Sequence, residues 1–194
     1  KMLGGIVAMI TTVCLNRRQC LLSDTVYPIL SPALTDSLTI PHTTCVHGRA
    51  LDGVMLKPID VHEDDRGSFA EIFQDHWNGP IDPVQWSLVR SRPNVFRGMH
   101  LHLNHDEYIM VFQGEAYVGL HDLRPDSPTR HKACLYHVHG EQPLAILFPR
   151  GLLHGWYFLT ESWHLQAVSE AYKDYHPHDN FGCLWNDPEL DLPW

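Results

Sequence analysis

From residue 53 onward, the chain consists of short stretches rich in β-branched, aromatic and apolar residues, separated by Gly, Pro, Asn and Asp. Short stretches at roughly ten-residue spacing with turn signals between them are typical of an all-β sandwich or barrel. No long segment shows the 3.6-residue period of an amphipathic helix. The predicted strands are VMLKPIDV, GSFAEIF, PVQWSLVRS, EYIMVFQ, EAYVGLHDL, HKACLYHVH, LAILFP, GWYFLT and WHLQAVSEAY.

The two ends of the chain have a different texture. Residues 1–50 mix apolar runs with Ser, Thr and Pro without a sustained period, which predicts an irregular N-terminal extension before a barrel domain at 51–194. The opening MLGGIVAMITTVCL is about fourteen residues long, short of the roughly twenty that span a bilayer, so we expect no stable membrane insertion. The turn-rich, aromatic ending HPHDNFGCLWNDPELDLPW predicts a lid or short helical turns.

Charge and cysteine content narrow the function classes. The formal net charge is −9 and no run of Lys or Arg occurs, which argues against a nucleic-acid partner. Five scattered cysteines without a CxxC pair indicate free thiols in a reducing compartment, so we expect a cytoplasmic location.

Polar residues at patterned positions mark a candidate site in RGMHLHLNHDEYIMVFQG and in PRGLLHG. Alternate residues of a strand share a face, so His100 and His102 can both point into a barrel. Glu107 lies at odd spacing from His102 and needs an intervening turn to join them, and a turn at 149–151 would bring His154 from another strand. These four residues suit a divalent metal such as Mn, Fe, Ni or Zn, and the same cavity suits acid–base chemistry on a bound ligand.

These patterns resemble a broad family and, over a longer stretch of the chain, one more specific enzyme family. His-x-His, followed by Glu and Gly, and the later Pro-x-Gly-x-x-His resemble the two motifs of the cupin β-barrel family, which implies a jelly roll of two antiparallel sheets. From about residue 53 to 194, the chain further resembles the dTDP-4-dehydrorhamnose 3,5-epimerase family of cupin-fold enzymes that act on nucleotide-linked 4-keto-6-deoxy sugars. The landmarks are DDRGSFAEIF, VQWSLVRSRPNVFRGMH, GEAYVGLHDLRPDSPT, FPRGLLHGWYFLTE and WNDPELDLPW.

The resemblance assigns roles to residues near the barrel motifs. His100 matches the family's catalytic base, and Arg97 and His154 match its substrate-contacting arginine and histidine. Epimerisation needs a base for the proton alpha to the keto group, a group that stabilises the enolate, and an acid on the opposite face. A histidine, with an ordinary pKa near ~6.5, suits the first task.

A second group of positions resembles the family's nucleotide-binding residues. Arg66, Phe69 and Glu71 match residues that hold the nucleotide, often across a dimer interface, and Gln85 matches a ligand-contacting glutamine. An arginine fork can bind phosphate oxygens bidentately, and an aromatic ring can stack on a base. The resemblance therefore implies a homodimer that binds a nucleotide-diphospho-sugar.

The chain departs from the family at two positions: that of a lysine and that of the tyrosine that acts as the general acid. Glu107 stands where a lysine is usual, so an anion replaces a cation that could stabilise an enolate. The family's catalytic tyrosine aligns with Ala167 without gaps, and Tyr172 or Tyr175 could take its place from a slightly longer segment. Of these, Tyr172 is our predicted acid.

The partner of the base also differs. In many members an aspartate beyond the terminal Trp-Pro region orients the base, and this sequence stops at Trp194. We therefore expect Asp106 or His102 to contact His100 instead.

The departures leave three functions open. The leading hypothesis is a 3- or 3,5-epimerase of dTDP-linked 4-keto-6-deoxyhexoses, for which no cofactor is required. RGMHLH also resembles nucleotide-sugar 3,4-ketoisomerases, although these generally lack an ending of the WNDPELDLPW type. The third is a metal-dependent cupin, either an oxygenase, an isomerase or a non-catalytic sugar binder, with the ligands His100, His102, Glu107 and His154.

Overall fold

Two antiparallel β-sheets face each other in a computed structural model that describes residues 44–172 and 180–194. These residues form thirteen strands, a few 3-10 turns and no α-helix, which confirms the predicted all-β, cupin-type class. Within them, no helix has the length and hydropathy that crossing a membrane requires. The strands are β1 (Thr44–Gly48), β2 (Met55–Pro58), β3 (His62–Asp64), β4 (Gly67–Phe69), β5 (Gln85–Ser91), β6 (Val95–Leu101), β7 (Glu107–Gln113), β8 (Glu115–Asp122), β9 (Ala133–His139), β10 (Leu144–Phe148), β11 (Leu152–Phe158), β12 (Ser162–Val168) and β13 (Phe181–Gly182).

The strands are arranged as a double-layered barrel with one separate hairpin. One sheet has the order β1-β9-β8-β11-β6-β13, and the other has the order β2-β10-β7-β12-β5. Among the described residues, strands β3 and β4 pair only with each other, so their hairpin belongs to neither large sheet. The motif segments lie on β6 and β11 of the first sheet and on β7 of the second, so their polar side chains can meet between the layers.

The first strand corrects the predicted N-terminal boundary. Residues 44–48 were predicted to be irregular, but they form β1 and pair with β9 at the edge of the six-stranded sheet. Five residues ending in a glycine carry too little periodicity to be recognised alone, and the strand is stabilised by its partner. The barrel therefore begins at or before Thr44, and residues 1–43 of the predicted extension lie outside the described residues.

Alternation along the strands builds the main core between the sheets. On β8, Ala116, Val118 and Leu120 are buried and join residues of the facing sheet, such as Ile109 and Ile146. A second cluster covers part of the outer face of the five-stranded sheet with the chain at 59–81. A third cluster lies under the C-terminal segment.

The C-terminal segment packs on the outer face of the six-stranded sheet. A 3-10 turn, Pro188–Leu190, is capped by the side chain of Asp187, which confirms the predicted short helical turns. The ring of Trp194 lies on Gly119, where an added Cβ would come within 2.4 Å of the ring. Phe96 packs edge-on against the same tryptophan at 4.9 Å between ring centres.

Candidate active site

The interior of the barrel collects polar side chains from both sheets. His100 on β6 pairs directly with His154 on β11, and Glu107 faces them from β7 of the other sheet. Beside this pair, an added Cβ on Gly98 would lie 2.6 Å from the Cα of Gly155. Glycine at both positions therefore lets the two histidine-bearing strands approach closely.

Glu107 is the centre of a buried cluster. Its Oε1 atom lies 3.1 Å from Nε2 of His154, 3.4 Å from Nε2 of His102 and 4.0 Å from Nε2 of His105. Its Oε2 atom accepts a hydrogen bond of 3.1 Å from the amide of Gln166 on β12. Glu107 is 2% exposed and His154 is 1% exposed, so this carboxylate is removed from bulk water.

Burial keeps the interior imidazoles neutral. It is the largest cause that lowers the pKa of His102 to about 3, against the attraction of Glu107, and it lowers the pKa of His154 to about 3. Burial also lowers the pKa of His100, where Glu107 acts in the opposite direction and Arg97 adds to the decrease. At neutral pH each ring therefore has a lone pair available to accept a proton or bind a metal.

The structure brings three of the four predicted metal ligands together. Ligand atoms of His102, Glu107 and His154 all lie within 4.8 Å of one another. His100 stands beside this cluster, with its ring centre 5.9 Å from that of His154 and 6.3 Å from that of His102. Metal binding by these three residues and proton abstraction by His100 would therefore use different nitrogen atoms.

Arg97 on β6 connects the two sheets through contacts with β5. Its Nε atom donates to Ser91 Oγ at 2.9 Å and its Nη2 atom donates to the carbonyl of Arg90 at 3.3 Å, both on β5. Its charge lowers the pKa of His100 and, after burial, that of His164. The guanidinium is therefore close enough to His100 to lower its pKa, and its contact with a substrate stays a prediction.

The predicted nucleotide-binding residues lie apart from this interior. Arg66 and Phe69 belong to the β3–β4 hairpin, and Glu71 follows it. The Arg66 side chain is 85% exposed and forms an ion pair with Asp64, and Phe69 is 61% exposed. The described part of the chain does not unite this hairpin with His100 in one cavity, so these roles remain predictions.

Gln85 and the candidate acid meet at one end of β5. The side chain of Gln85 accepts a hydrogen bond of 2.8 Å from the backbone N–H of Tyr172, and the Tyr172 residue is 75% exposed. Ala167 does not point into the barrel, since it packs with Tyr108 on the outer side of the five-stranded sheet. The interior position next to it is Gln166, and Tyr175 lies outside the described residues.

Asp106 forms hydrogen bonds with Arg150 and not with the predicted base, His100. Its carboxylate accepts hydrogen bonds from the backbone N–H and the guanidinium of Arg150, at 2.9 and 3.2 Å. His102, the other predicted partner of His100, is turned toward Glu107 and stacks on His105 at 4.2 Å between ring centres. Asp106 therefore fixes the turn that precedes His154 instead of orienting the base.

Sequence reasoning missed three interior residues and one outer cluster. His105, His164 and Gln166 contribute to the interior, and the two on β12 could have been found from their i, i+2 spacing. On another part of the six-stranded sheet, the ligand atoms of a second group, half-buried, lie within 4.8 Å of one another: Glu115, His137 and His139.

A double-sheet barrel with motif histidines in its interior defines the chain as a cupin-type protein. The sequence pattern of the dTDP-4-dehydrorhamnose 3,5-epimerases matches residues 49–194. The chain therefore belongs to the dTDP-4-dehydrorhamnose 3,5-epimerase family.

Individual relatives agree with this assignment. The chain is 33% identical over 146 residues to the spore coat polysaccharide biosynthesis protein SpsL of Bacillus subtilis, covering 74% of this chain and 96% of the relative. It is 30% identical over 151 residues to the dTDP-4-dehydrorhamnose 3,5-epimerase of Escherichia coli, covering 74% and 80%.

Solved structures show the same fold. The Bacillus anthracis dTDP-4-dehydrorhamnose 3,5-epimerase with TDP and PPi bound has a TM-score of 0.67 at 28% identity, covering 78% of this chain and 90% of that one. The Legionella pneumophila 3,5-epimerase in complex with dTDP-4-keto-L-rhamnose has a TM-score of 0.67 at 26% identity, covering 79% and 84%.

Proposed function

We propose that this chain is a 3- or 3,5-epimerase of a dTDP-linked 4-keto-6-deoxyhexose. The observation that carries the proposal is the setting of His100, on an interior strand opposite His154 and next to the charge of Arg97. Burial lowers the pKa of His100, so the ring is neutral at physiological pH and can accept a proton. Membership of an epimerase family supports the same chemistry.

The reaction moves one proton at each inverted carbon. His100 takes the proton alpha to the keto group, and the C–H electron pair becomes the C=C bond of an enolate, while the carbonyl π pair moves to oxygen. An acid then returns a proton to the opposite face, which inverts the carbon and regenerates the ketone. Tyr172 is the proposed acid, at the end of the segment that follows β12.

The nucleotide is proposed to bind between two subunits. In one chain the β3–β4 hairpin pairs with neither large sheet, and Arg66, Phe69 and Glu71 are exposed. An exposed arginine fork and aromatic ring suit a diphosphate and a base. Donated to a second copy, these residues would supply the nucleotide-binding part of its site.

The outer face of the five-stranded sheet supports a homodimer. Leu88, Trp86 and Phe112 are 58%, 39% and 38% exposed on this face, although all three are large and apolar. A groove between the hairpin and this sheet is lined by Phe69, Met110, Phe112 and other apolar residues. Because contiguous apolar surface marks interaction sites, and the hairpin borders it, a second copy of the chain is the proposed occupant.

Two other functions are each supported by one geometric observation. The parallel rings of His100 and His102, 12° apart in plane, fit a 3,4-ketoisomerase that moves a keto group through an enediol. The convergence of His102, Glu107 and His154 fits a metal-dependent cupin. Epimerisation by itself requires no cofactor.

Product analysis separates these functions. Purified protein is incubated with dTDP-4-keto-6-deoxyglucose in water, and the products are identified by NMR after reduction of the ketone. Inversion at C3 or at C3 and C5, with the keto group still at C4, supports the proposal. A keto group at C3 indicates the ketoisomerase, and unchanged substrate together with tight dTDP binding indicates a sugar binder, so either result contradicts the epimerase.

A further inference from the structure

A block of four polar and aromatic side chains lies on the outer face of the six-stranded sheet. On β8, Glu115 and Tyr117 pair in register with His139 and His137 of β9. The residues between them on both strands are buried in the core between the two sheets. Because successive side chains of a strand point to opposite faces, the four side chains of the block point away from that core. The block therefore lies on the other side of the sheet from the interior histidines.

Three side chains of this block have the composition and spacing of a metal site. One ligand atom each of Glu115, His137 and His139 lies within 4.8 Å of the other two. We propose that these three residues bind one divalent transition-metal ion such as Zn²⁺, which links β8 to β9 on the outside of the barrel. Two imidazoles and one carboxylate are a known ligand set for zinc, and a tetrahedral ion would keep its fourth position for water.

The contact between Glu115 and His137 has nearly the separation of two metal ligands. Nε2 of His137 lies 2.7 Å from Oε1 of Glu115. Two ligands bound about 2.1 Å from one ion at tetrahedral or octahedral angles lie about 3.0–3.4 Å apart. The Glu115 side chain is 33% exposed, so it can rotate by the small amount that admits an ion.

An ion at this place would replace one proton. An ionised carboxylate only accepts hydrogen bonds, so the Nε2–H group of His137 donates to Glu115. Metal binding moves that proton to Nδ1 or to water, and Nε2 then becomes a ligand beside a negatively charged oxygen. The ring nitrogen and the carboxylate thus both gain a bond to the cation in place of the hydrogen bond that they share.

Neighbouring contacts hold the ligands in place. The ring of Tyr117 stacks on His137 with 4.7 Å between ring centres, and the ring centres of His137 and His139 lie 4.3 Å apart. The backbone N–H of Glu115 donates to Ser162 Oγ at 3.2 Å, which fixes the start of β8. Since all three ligands lie on paired strands, an ion would meet them with little further loss of conformational freedom.

The described C-terminal segment covers a different part of this face. The carbonyl of Leu190 lies 2.6 Å from Nδ1 of His121, and the ring of Trp194 lies on Gly119. At the ligand end of β8 and β9, the side chain of His137 is still 22% exposed. An ion can therefore reach the ligands from solvent without displacing this segment.

Direct metal binding to the full-length protein tests the site. The protein is stripped with a chelator and titrated with Co²⁺, and Zn²⁺ is then added in competition, while calorimetry and the visible spectrum report stoichiometry and ligation. The ligand variants are Glu115→Gln, His137→Gln and His139→Gln, which give three independent tests if one of them fails to fold. Tyr117→Phe keeps the stacked ring and removes no ligand, and His102→Asn alters only the interior cluster. Circular dichroism shows whether each variant is folded.

We expect the wild type and both controls to bind one Co²⁺ with affinities within about threefold of one another. Each ligand variant should bind at least ~100-fold more weakly, because losing a ligand costs more than the 10- to 100-fold loss typical of an outer contact. Zn²⁺ at ~100 times its Kd should raise the folding equilibrium constant of the wild type about 100-fold, and that of Glu115→Gln no more than about twofold at the same concentration. Urea unfolding measures this difference.

Three results would overturn the site. Equal affinity in all proteins would show adventitious binding at other histidines. Loss of binding in His102→Asn alone would place the ion in the interior of the barrel. The absence of Co²⁺ and Zn²⁺ binding by the folded wild type would show that the block is an aromatic and hydrogen-bonded cross-strand contact only.

Discussion

Nε2 of His154 lies 3.1 Å from Oε1 of Glu107, although the two side chains come from opposite sheets of the barrel. The same imidazole donates its Nδ1 proton to the carbonyl of Leu152. The contact with Glu107 is therefore between a ring lone pair and a carboxylate when the ring is neutral. This contact is not a buried ion pair. Removal of the carboxylate charge should therefore not lower the free energy of unfolding, as it would if the two groups formed an ion pair.

The first prediction concerns the stability of the metal-free protein. We expect Glu107→Gln to leave the free energy of unfolding unchanged or to raise it, because the variant removes a buried negative charge. An imidazolium partner would instead make the substitution cost about 3–5 kcal/mol. Urea unfolding with EDTA at fixed protein concentration measures the difference. Glu161→Gln, at an exposed ion pair with Arg90, is the control and should change stability by less than about 1 kcal/mol.

The second prediction concerns Arg97, which is held by Ser91 and by the carbonyl of Arg90. Arg97→Lys should lower kcat/KM by about 10- to 100-fold, because a lysine cannot keep both contacts and offers no planar fork. Steady-state epimerisation assays measure the loss. Arg90→Lys keeps the backbone carbonyl and the positive charge and changes only an exposed side chain, so it should stay within about twofold of the wild type. Equal losses in both variants would contradict a specific role for Arg97.

The third prediction tests whether two chains share each site. Chains with Arg66→Ala and Phe69→Ala are co-expressed with chains carrying His100→Asn, each with its own tag. If the hairpin serves the partner's cavity, each mixed dimer contains one intact site and one site with both defects. With random pairing, half of the dimers are mixed, so activity should recover to about a quarter of the wild type. Purified mixed dimers without activity would show that the hairpin serves its own chain, and full activity of dimers that carry only Arg66→Ala and Phe69→Ala would show that it serves no site.

The fourth prediction concerns acid stability. Burial alone would raise the pKa of Asp122, but hydrogen bonds from Arg124, Ser127 and Thr129 outweigh it and hold the pKa well below its usual range. Because the unfolded carboxylate has a pKa near ~3.9, the stabilisation is present above that value and is lost as pH falls toward the folded pKa.

Asp122→Asn should therefore lower the free energy of unfolding by about 1–3 kcal/mol at pH 7, with a difference from the wild type that shrinks below about pH 4. Denaturant unfolding across this pH range measures it. Asp126→Asn, on an exposed residue of the same loop, should have a small effect at every pH. A gap that widens on acidification would contradict the depressed pKa.

Much of the barrel could be predicted because its central strands carry their own pattern. On β5, half-buried and exposed positions alternate from Gln85 to Arg90, and on β8 the alternate residues Ala116, Val118 and Leu120 are buried between the sheets. Strand β1 was missed because its five residues depend on β9 for stability, and β13 was missed because it is only two residues long. Edge strands of two to five residues are too short to show the two-residue hydrophobic period of a β-strand in the sequence.

The site was predictable where spacing and motif agreed. His102, Glu107 and His154 do converge, since each lies on or beside a strand whose inward face the pattern defines. His100 faces the same interior without joining these three residues, and the sequence pattern does not show the bulge in the pairing of β6 with β11. The partner of Asp106 is Arg150, in a loop, and no strand pattern could indicate this contact.

The central claim is that His100 removes the proton alpha to the keto group, and solvent-deuterium incorporation tests it most directly. Wild-type protein and His100→Asn are incubated with dTDP-4-keto-6-deoxyglucose in D₂O, and NMR follows deuterium at C3 and C5, with dTDP affinity measured in parallel. We predict exchange in the wild type and a loss of about 10²–10⁴-fold in the variant, with dTDP affinity nearly unchanged. Near-normal exchange at C3 or C5 in a folded His100→Asn variant would contradict the account.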